Sequence, residues 1–183
     1  RAYHNPQGSL RPGDLARLDP FAYPGDPRQA HGLAFEEDQI HAPLGSFPAW
    51  YIPGQRDTWA IMVHGKGANR RETLRLLPLL AAARFPALAI TYRNDEGCPP
   101  APGRRYTYGR DEYEELEAAI HFALGLGARR ILLVGYSMGG AICLSLMERS
   151  DLASRVAGLI LDAPMLDLRS TVAHGARQRS IPL

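Results

Sequence analysis

The chain has 183 residues, of which 45% are hydrophobic, so it can bury one sizeable core and suits a single domain. Its formal net charge of +2 is small, and no Lys/Arg cluster alternates with aromatic residues, which argues against a nucleic-acid partner. The two cysteines, Cys98 and Cys143, form no C-x-x-C pair and have no histidine at metal-ligand spacing. Composition therefore points away from nucleic-acid and metal-binding proteins.

The sequence carries no clear signal of cellular location. The sequence contains no apolar run of about 18 residues, the length that spans a bilayer, and no signal peptide. On the given residues the protein is expected in the cytoplasm. However, the chain starts at Arg1 and its first methionine is Met62, so a targeting or anchor segment could precede it.

The first part of the chain is predicted to differ from the rest. Residues 1–35 are rich in Pro, Gly and Asp without periodicity, which predicts an irregular lead-in to a domain that spans residues 36–183. Alternation over Glu36–Ala42 and Phe47–Pro53 predicts a hairpin of two short strands. The run Thr58–Val63 is almost continuously apolar, which is typical of a strand covered on both faces, as in a parallel sheet.

From residue 58 onward, predicted strands and helices alternate. Asn69, followed three residues later by Glu72, resembles a capping box, and leucines then recur at helical spacing. Further along come strands at 86–92, 131–136 and 156–161, helices with apolar stripes at 116–124 and after residue 137, and a long Pro/Gly-rich loop at 93–109. This alternation predicts an α/β fold with a largely parallel sheet.

The most informative stretch is the turn between a predicted strand and a predicted helix at Ser137. Gly135-Tyr136-Ser137-Met138-Gly139 has the pattern G-x-S-x-G. A sharp turn of this kind exposes a serine hydroxyl, and it needs glycines because the two backbones approach closely and the serine takes a strained conformation. The N–H of Met138, first in the helix, is expected to face an oxyanion near Ser137. This pattern predicts a nucleophilic serine.

Four strand ends are expected to meet at one edge of the sheet, because ligands in open α/β sheets collect at the carboxyl ends of the strands. They carry His64-Gly65-Lys66-Gly67, Arg93-Asn94-Asp95, Ser137 and Asp162. Within this group, Arg93 and Asp95 are expected to brace the long loop as an ion pair; the alternative is that they contact a substrate. His64 is expected to orient its own turn by hydrogen bonding.

The motifs His64-Gly65-x-Gly67, Tyr92-Arg93-Asn94-Asp95, Gly135-x-Ser137-x-Gly139-Gly140 and Leu161-Asp162-Ala163-Pro164, in this order, resemble the α/β-hydrolase family. The resemblance covers about residues 36–183 and is nearest to a bacterial branch of esterase-, lipase- and peptidase-like serine hydrolases. It implies an α/β-hydrolase fold, a mostly parallel sheet with flanking helices. It also implies a small-molecule ester, thioester or amide substrate, cleaved through an acyl-enzyme on Ser137 without metal or organic cofactor. By position, the second oxyanion donor is the backbone N–H of Lys66.

The resemblance also implies an order of catalytic residues, with the nucleophile followed by an acid and then a histidine. Only Asp162 and His174 offer a compact acid and base, and residues 171–179 look instead like a surface helix or the start of a lid. The expectation is therefore that the family's C-terminal strands, acid and base lie beyond Leu183. Residues 1–183 alone are then expected to be inactive.

Two other protein classes match the sequence less well. A nucleotide-binding domain would need G-x-G-x-x-G after the first strand or a P-loop, and Gly65-Lys66 lacks both the upstream glycine and the following Ser/Thr. A non-catalytic α/β-hydrolase-like binding module would keep the fold without the chemistry. Such proteins usually lose the serine or a glycine of the turn, and this chain retains Gly135, Ser137 and Gly139.

Overall fold

The computed structural model describes residues 11–15 and 19–178. Its centre is a six-stranded sheet in the order β1-β2-β4-β3-β5-β6. The strands are β1 (Glu36–Ala42), β2 (Gly45–Ile52), β3 (Thr58–Val63), β4 (Ala87–Ile90), β5 (Arg130–Tyr136) and β6 (Val156–Asp162). The hairpin β1–β2 pairs antiparallel with β4, whereas β4, β3, β5 and β6 run parallel. The predicted α/β fold with a mostly parallel sheet is confirmed.

Within the described ranges the sheet is accompanied by the helices α1 (Pro27–His31), α2 (Leu77–Ala82), α3 (Tyr113–Gly125), α4 (Met138–Arg149) and α5 (Leu168–Gln178). Short 3-10 helices lie at Arg70–Arg75, Pro102–Arg104 and Asp151–Arg155. No helix among the described residues combines the length and apolar character needed to cross a membrane.

Helices cover both faces of the sheet, which explains the unbroken apolar run in β3. Its residues 59, 61 and 63 pack in one cluster with residues of α3 and α4. Residues 60 and 62 pack in a second cluster with Leu74 and α2. Because successive side chains of a strand point to opposite faces, the buried positions 59–63 of β3 are all apolar.

The predicted helix after β3 is divided into a 3-10 helix and α2, because Pro78 interrupts the helical hydrogen bonds. Pro78 has no N–H to donate to Leu74 O, four residues earlier. The ring Nε2 of His31 lies 2.8 Å from that carbonyl oxygen instead. The short helix α1 thereby joins the lead-in to the sheet domain.

Two expectations reach beyond the described part of the chain. Residues 1–10 and 16–18 of the predicted lead-in lie outside the described residues, and its later part contains α1. Helix α5 covers most of the predicted surface helix at 171–179, whose last residue is also outside the description.

Candidate active site

Ser137 lies between β5 and α4, where the chain turns from strand to helix. Its φ of 48° and ψ of −114° are a strained combination for a residue with a side chain, and the residue is exposed. The strained turn predicted from G-x-S-x-G is therefore present. It presents the hydroxyl at the carboxyl edge of the sheet.

The glycines on either side of Ser137 are required by close backbone contacts. A Cβ on Gly135 would lie 2.7 Å from Gly139 O. A Cβ on Gly139 would lie 2.1 Å from Val63 O, at the end of the neighbouring strand β3. Neither position can accept a side chain without moving backbone, which is the collision expected from the sequence.

The end of β6 is joined to the same turn through backbone hydrogen bonds. Ser137 N–H donates to Asp162 O at 2.9 Å, and Met165 N–H donates to Ser137 O at 3.0 Å. The backbone of Ser137 is thus held on both sides while its side chain stays exposed. Met138 N–H, the first of α4, has no hydrogen-bond partner among the described residues.

The loop after β3, His64 to Gly67, lies directly beside Ser137. The Tyr92 hydroxyl donates to Gly65 O at 3.1 Å, and His64 Nδ1 lies 2.9 Å from the same oxygen. Ala68 N–H donates to the same oxygen at 3.1 Å. In a trans peptide the N–H points opposite to the C=O, so fixing Gly65 O also fixes the direction of Lys66 N–H. In the described part of the chain, Lys66 N–H has no partner.

The proton on the Tyr92 hydroxyl is firmly retained. Burial raises the pKa of Tyr92 far above its usual range, and the nearby Asp95 carboxylate adds to this effect. Tyr92 therefore remains a donor to the loop carbonyls over the whole physiological range.

His64 is fully buried at the start of the loop. Its Nε2 contacts Asp95 Oδ2 at 2.8 Å, and its ring stacks on Tyr92 with centroids 4.5 Å apart. Because Nδ1 contacts Gly65 O, both ring nitrogens are occupied. His64 consequently has no nitrogen left for Ser137.

The expected ion pair between Arg93 and Asp95 is wrong. The Arg93 guanidinium instead contacts Glu115 Oε1 at 2.7 Å and Glu114 Oε2 at 2.6 Å, both on α3. Asp95 accepts from His64 and from Tyr92 N–H. Burial raises the pKa of Glu115, and its bonds with Arg93 offset only part of that increase. The loop is therefore braced against α3, because a buried guanidinium needs carboxylates that can reach it.

The compact acid and base do not come together. Asp162 Oδ2 pairs with Arg75 at 3.0 Å, and the residue is exposed. His174, exposed on α5, has Nε2 2.9 Å from Gln178 Nε2. Among the described residues, no hydrogen bond links Ser137 Oγ to Asp162, His174 or any other histidine.

Two features of the site were not expected from the sequence. Glu72, predicted to belong to a capping box, accepts the Gly65 N–H at 2.7 Å instead. The Lys66 ammonium donates to Tyr108 OH at 2.8 Å and lies over the rings of Tyr106 and Tyr108. The exposed Lys66 side chain thereby connects the loop after β3 to the long loop at 93–109. No sequence signal marks either contact, because both join segments that only the fold brings together.

The described residues contain no group of three or more His, Cys, Asp or Glu side chains arranged to hold a metal ion.

The chain matches one protein-family model and resembles several solved structures. Residues 60–182 match the model of the alpha/beta hydrolase family. A search of curated protein sequences finds no match.

Similar solved structures include an esterase from Pyrococcus furiosus, with a TM-score of 0.68 and 20% identity, covering 85% of this chain and 61% of the esterase. The esterase of Exiguobacterium antarcticum gives a TM-score of 0.54 at 24% identity, covering 72% of this chain and 46% of that one. An epoxide hydrolase from an endophytic Streptomyces gives 0.55 at 22% identity, covering 69% and 36%. These similarities concern the fold, and the chain spans about 61% of the length of the Pyrococcus esterase.

Proposed function

The chain belongs to the α/β-hydrolase family, and we propose that it acts as a serine hydrolase that cleaves an ester, thioester or amide bond through an acyl-enzyme on Ser137. The observation that supports this is the combination of an exposed, strained Ser137 with two amides on the segments beside it, Met138 N–H and Lys66 N–H, which have no hydrogen-bond partner in the described part of the chain. An oxyanion needs donors of this kind, held in place before the reaction.

The proposed chemistry proceeds in two halves. Ser137 Oγ attacks the carbonyl carbon of the substrate, its proton passes to a base, and the carbonyl oxygen becomes an oxyanion. The amides of Met138 and Lys66 stabilise that charge. The intermediate then expels the alcohol, thiol or amine as it takes up the proton, and water releases the acid from Ser137 in the same manner. No metal or organic cofactor takes part in this proposal.

We infer that the base is neither His64 nor His174. Both nitrogens of His64 are occupied by Gly65 O and Asp95, and His174 contacts Gln178 on the exposed surface of α5. The Asp162 carboxylate is paired with Arg75, which argues against its role as the acid in this arrangement.

A carboxylic ester is the first substrate class to test, since two of the similar folds are named esterases. The experiment measures p-nitrophenyl butyrate hydrolysis by the full-length protein and by Ser137→Ala, with Ser154→Ala as the matched control on an exposed 3-10 helix. We expect Ser137→Ala to lose roughly 10³-fold or more in kcat with its fold intact. Ser154→Ala should match the wild type.

Labelling with a fluorophosphonate separates a catalyst from a binding module that only keeps the fold. The probe should add one phosphonyl group to Ser137, found by mass spectrometry of the digested protein. A Ser137→Ala variant that retains more than about a tenth of the wild-type rate would remove Ser137 from the mechanism. Hydrolysis without any label on Ser137 would do the same.

A further inference from the structure

Glu72 makes a contact that its own helix does not need. It lies on the 3-10 helix Arg70–Arg75, where Asn69 Oδ1 already caps the first turn by accepting Arg71 N–H at 2.9 Å. The Glu72 carboxylate extends away from that turn, and its Oε2 accepts Gly65 N–H at 2.7 Å. A charge-assisted bond of this length is among the stronger hydrogen bonds in proteins.

The helix that carries Glu72 is held in place from several sides. Arg70 pairs with Glu37 on β1 at 3.1 Å, and its guanidinium lies over the Trp50 ring. Arg71 donates to Tyr23 O at 2.9 Å. Because the helix is anchored independently of the loop, it can act as a fixed support for the Glu72 carboxylate.

The contact with Glu72 completes the restraint of the loop beside Ser137. Gly65 O is fixed by Tyr92 and His64, and Gly65 N–H is fixed by Glu72. A Cβ at Gly65 would lie 3.1 Å from Ser137 Cβ and 3.3 Å from Glu72 Oε2, so the carboxylate and the serine flank the same glycine.

We propose that Glu72 is a positioning residue for the oxyanion hole. By accepting Gly65 N–H, Glu72 holds the peptide between His64 and Gly65. The N–H of the next residue, Lys66, thereby keeps its direction towards the reacting carbonyl. This inference rests on the proposed function. A negative charge here opposes the charge of an oxyanion, and the Arg75 guanidinium, 3.8 Å from Glu72 Oε1, offsets part of that effect. We therefore expect the positioning to depend on the acceptor oxygen at this distance and not on the charge.

Three substitutions in the full-length protein separate these properties. Glu72→Gln keeps an acceptor oxygen at the same reach without the charge, and we expect kcat within about threefold of wild type. Glu72→Asp keeps the charge but is one methylene too short, and Glu72→Ala removes the acceptor. Both should lower kcat by roughly 10- to 100-fold with KM almost unchanged, because one oxyanion donor is worth about 10²- to 10³-fold and would be misaligned rather than deleted. Glu37→Ala is the control, because it removes an ion pair to the same helix but no contact to the loop.

The rate of inactivation by a fluorophosphonate gives a second measurement, because the phosphoryl oxygen of the probe occupies the oxyanion hole. It should fall in Glu72→Asp and Glu72→Ala in parallel with kcat, and remain normal in Glu72→Gln and Glu37→Ala. If Glu72→Ala fails to fold, comparing the kcat of Glu72→Asp with that of Glu72→Gln still tests the proposal. Normal kcat in Glu72→Asp, or an equal loss in Glu72→Gln, would overturn the positioning role. The proposed function itself fails separately, if Ser137→Ala stays active.

Discussion

Gly65 and Ser137 face each other so closely that a Cβ on Gly65 would lie 3.1 Å from Ser137 Cβ. The same methyl group would lie 3.3 Å from Tyr136 O, on the strand that leads into the turn. The loop after β3 and the turn after β5 therefore pack directly against each other. This close packing is possible because residue 65 is a glycine and has no side chain.

Gly65→Ala should move this loop away from Ser137 by a few tenths of an ångström. Displacing Lys66 N–H by that amount should lower kcat roughly 10-fold or more, because oxyanion donors act over a narrow range of distances. The measurement is steady-state hydrolysis of p-nitrophenyl butyrate by the full-length protein, with a thermal unfolding curve for each variant.

Gly125→Ala, at the end of α3, is the matched control, since a Cβ there meets no atom within 4 Å. It should leave kcat unchanged and preserve or slightly raise stability. Equal activity of Gly65→Ala and the wild type would show that the close approach has no catalytic consequence.

Two substitutions at Lys66 distinguish the contribution of its backbone N–H to kcat from that of its side chain. Lys66→Pro deletes the N–H and should lower kcat by roughly 10²- to 10³-fold. Lys66→Ala keeps the N–H but removes the contacts to Tyr108 and Tyr106, and should cost far less. Equal losses of kcat in the two variants would show that the Lys66 ammonium group, and not its backbone N–H, is what catalysis requires.

His174→Ala should leave turnover within about twofold of the wild type, since loss of a general base would cost far more. The ring lies exposed on α5 against Gln178, without contact to Ser137 or Asp162. Gln178→Ala is the control for disturbance of α5. Turnover that disappears in His174→Ala alone would establish the compact base and refute the present assignment.

Tyr136→Phe tests the energetics of the strand that positions Ser137. The Tyr136 hydroxyl is buried and has no hydrogen-bond partner among the described residues, while its ring lies under the Arg75 guanidinium at 4.9 Å. Removing an unpaired buried hydroxyl while keeping the ring should leave the free energy of unfolding unchanged or raise it by about 1 kcal/mol. Urea unfolding measures this, and a loss of more than about 1 kcal/mol would show that the hydroxyl has a partner.

Local sequence patterns were sufficient for the framework of the fold and for the serine turn. The bounds of β1 and β3 agree with those expected from alternation and from the continuous apolar run. The turn at Ser137 was predictable for the same reason, because a strand, a helix and the glycines between them are all encoded within a few consecutive residues. Patterns of this kind depend on neighbours in the chain, which the sequence displays directly.

The partners of the charged and polar side chains were decided only by tertiary structure. Glu72 matched a local capping pattern, yet it contacts Gly65. Arg93 matched a local partner in Asp95, yet it contacts Glu115, 22 residues away. A carboxylate has several possible partners within reach of its own turn, and these partners differ little in how much they stabilise it. Leaving a buried guanidinium or amide unpaired costs far more free energy. The packing of the loops on the sheet creates that cost, so which pairs form depends on the assembled fold.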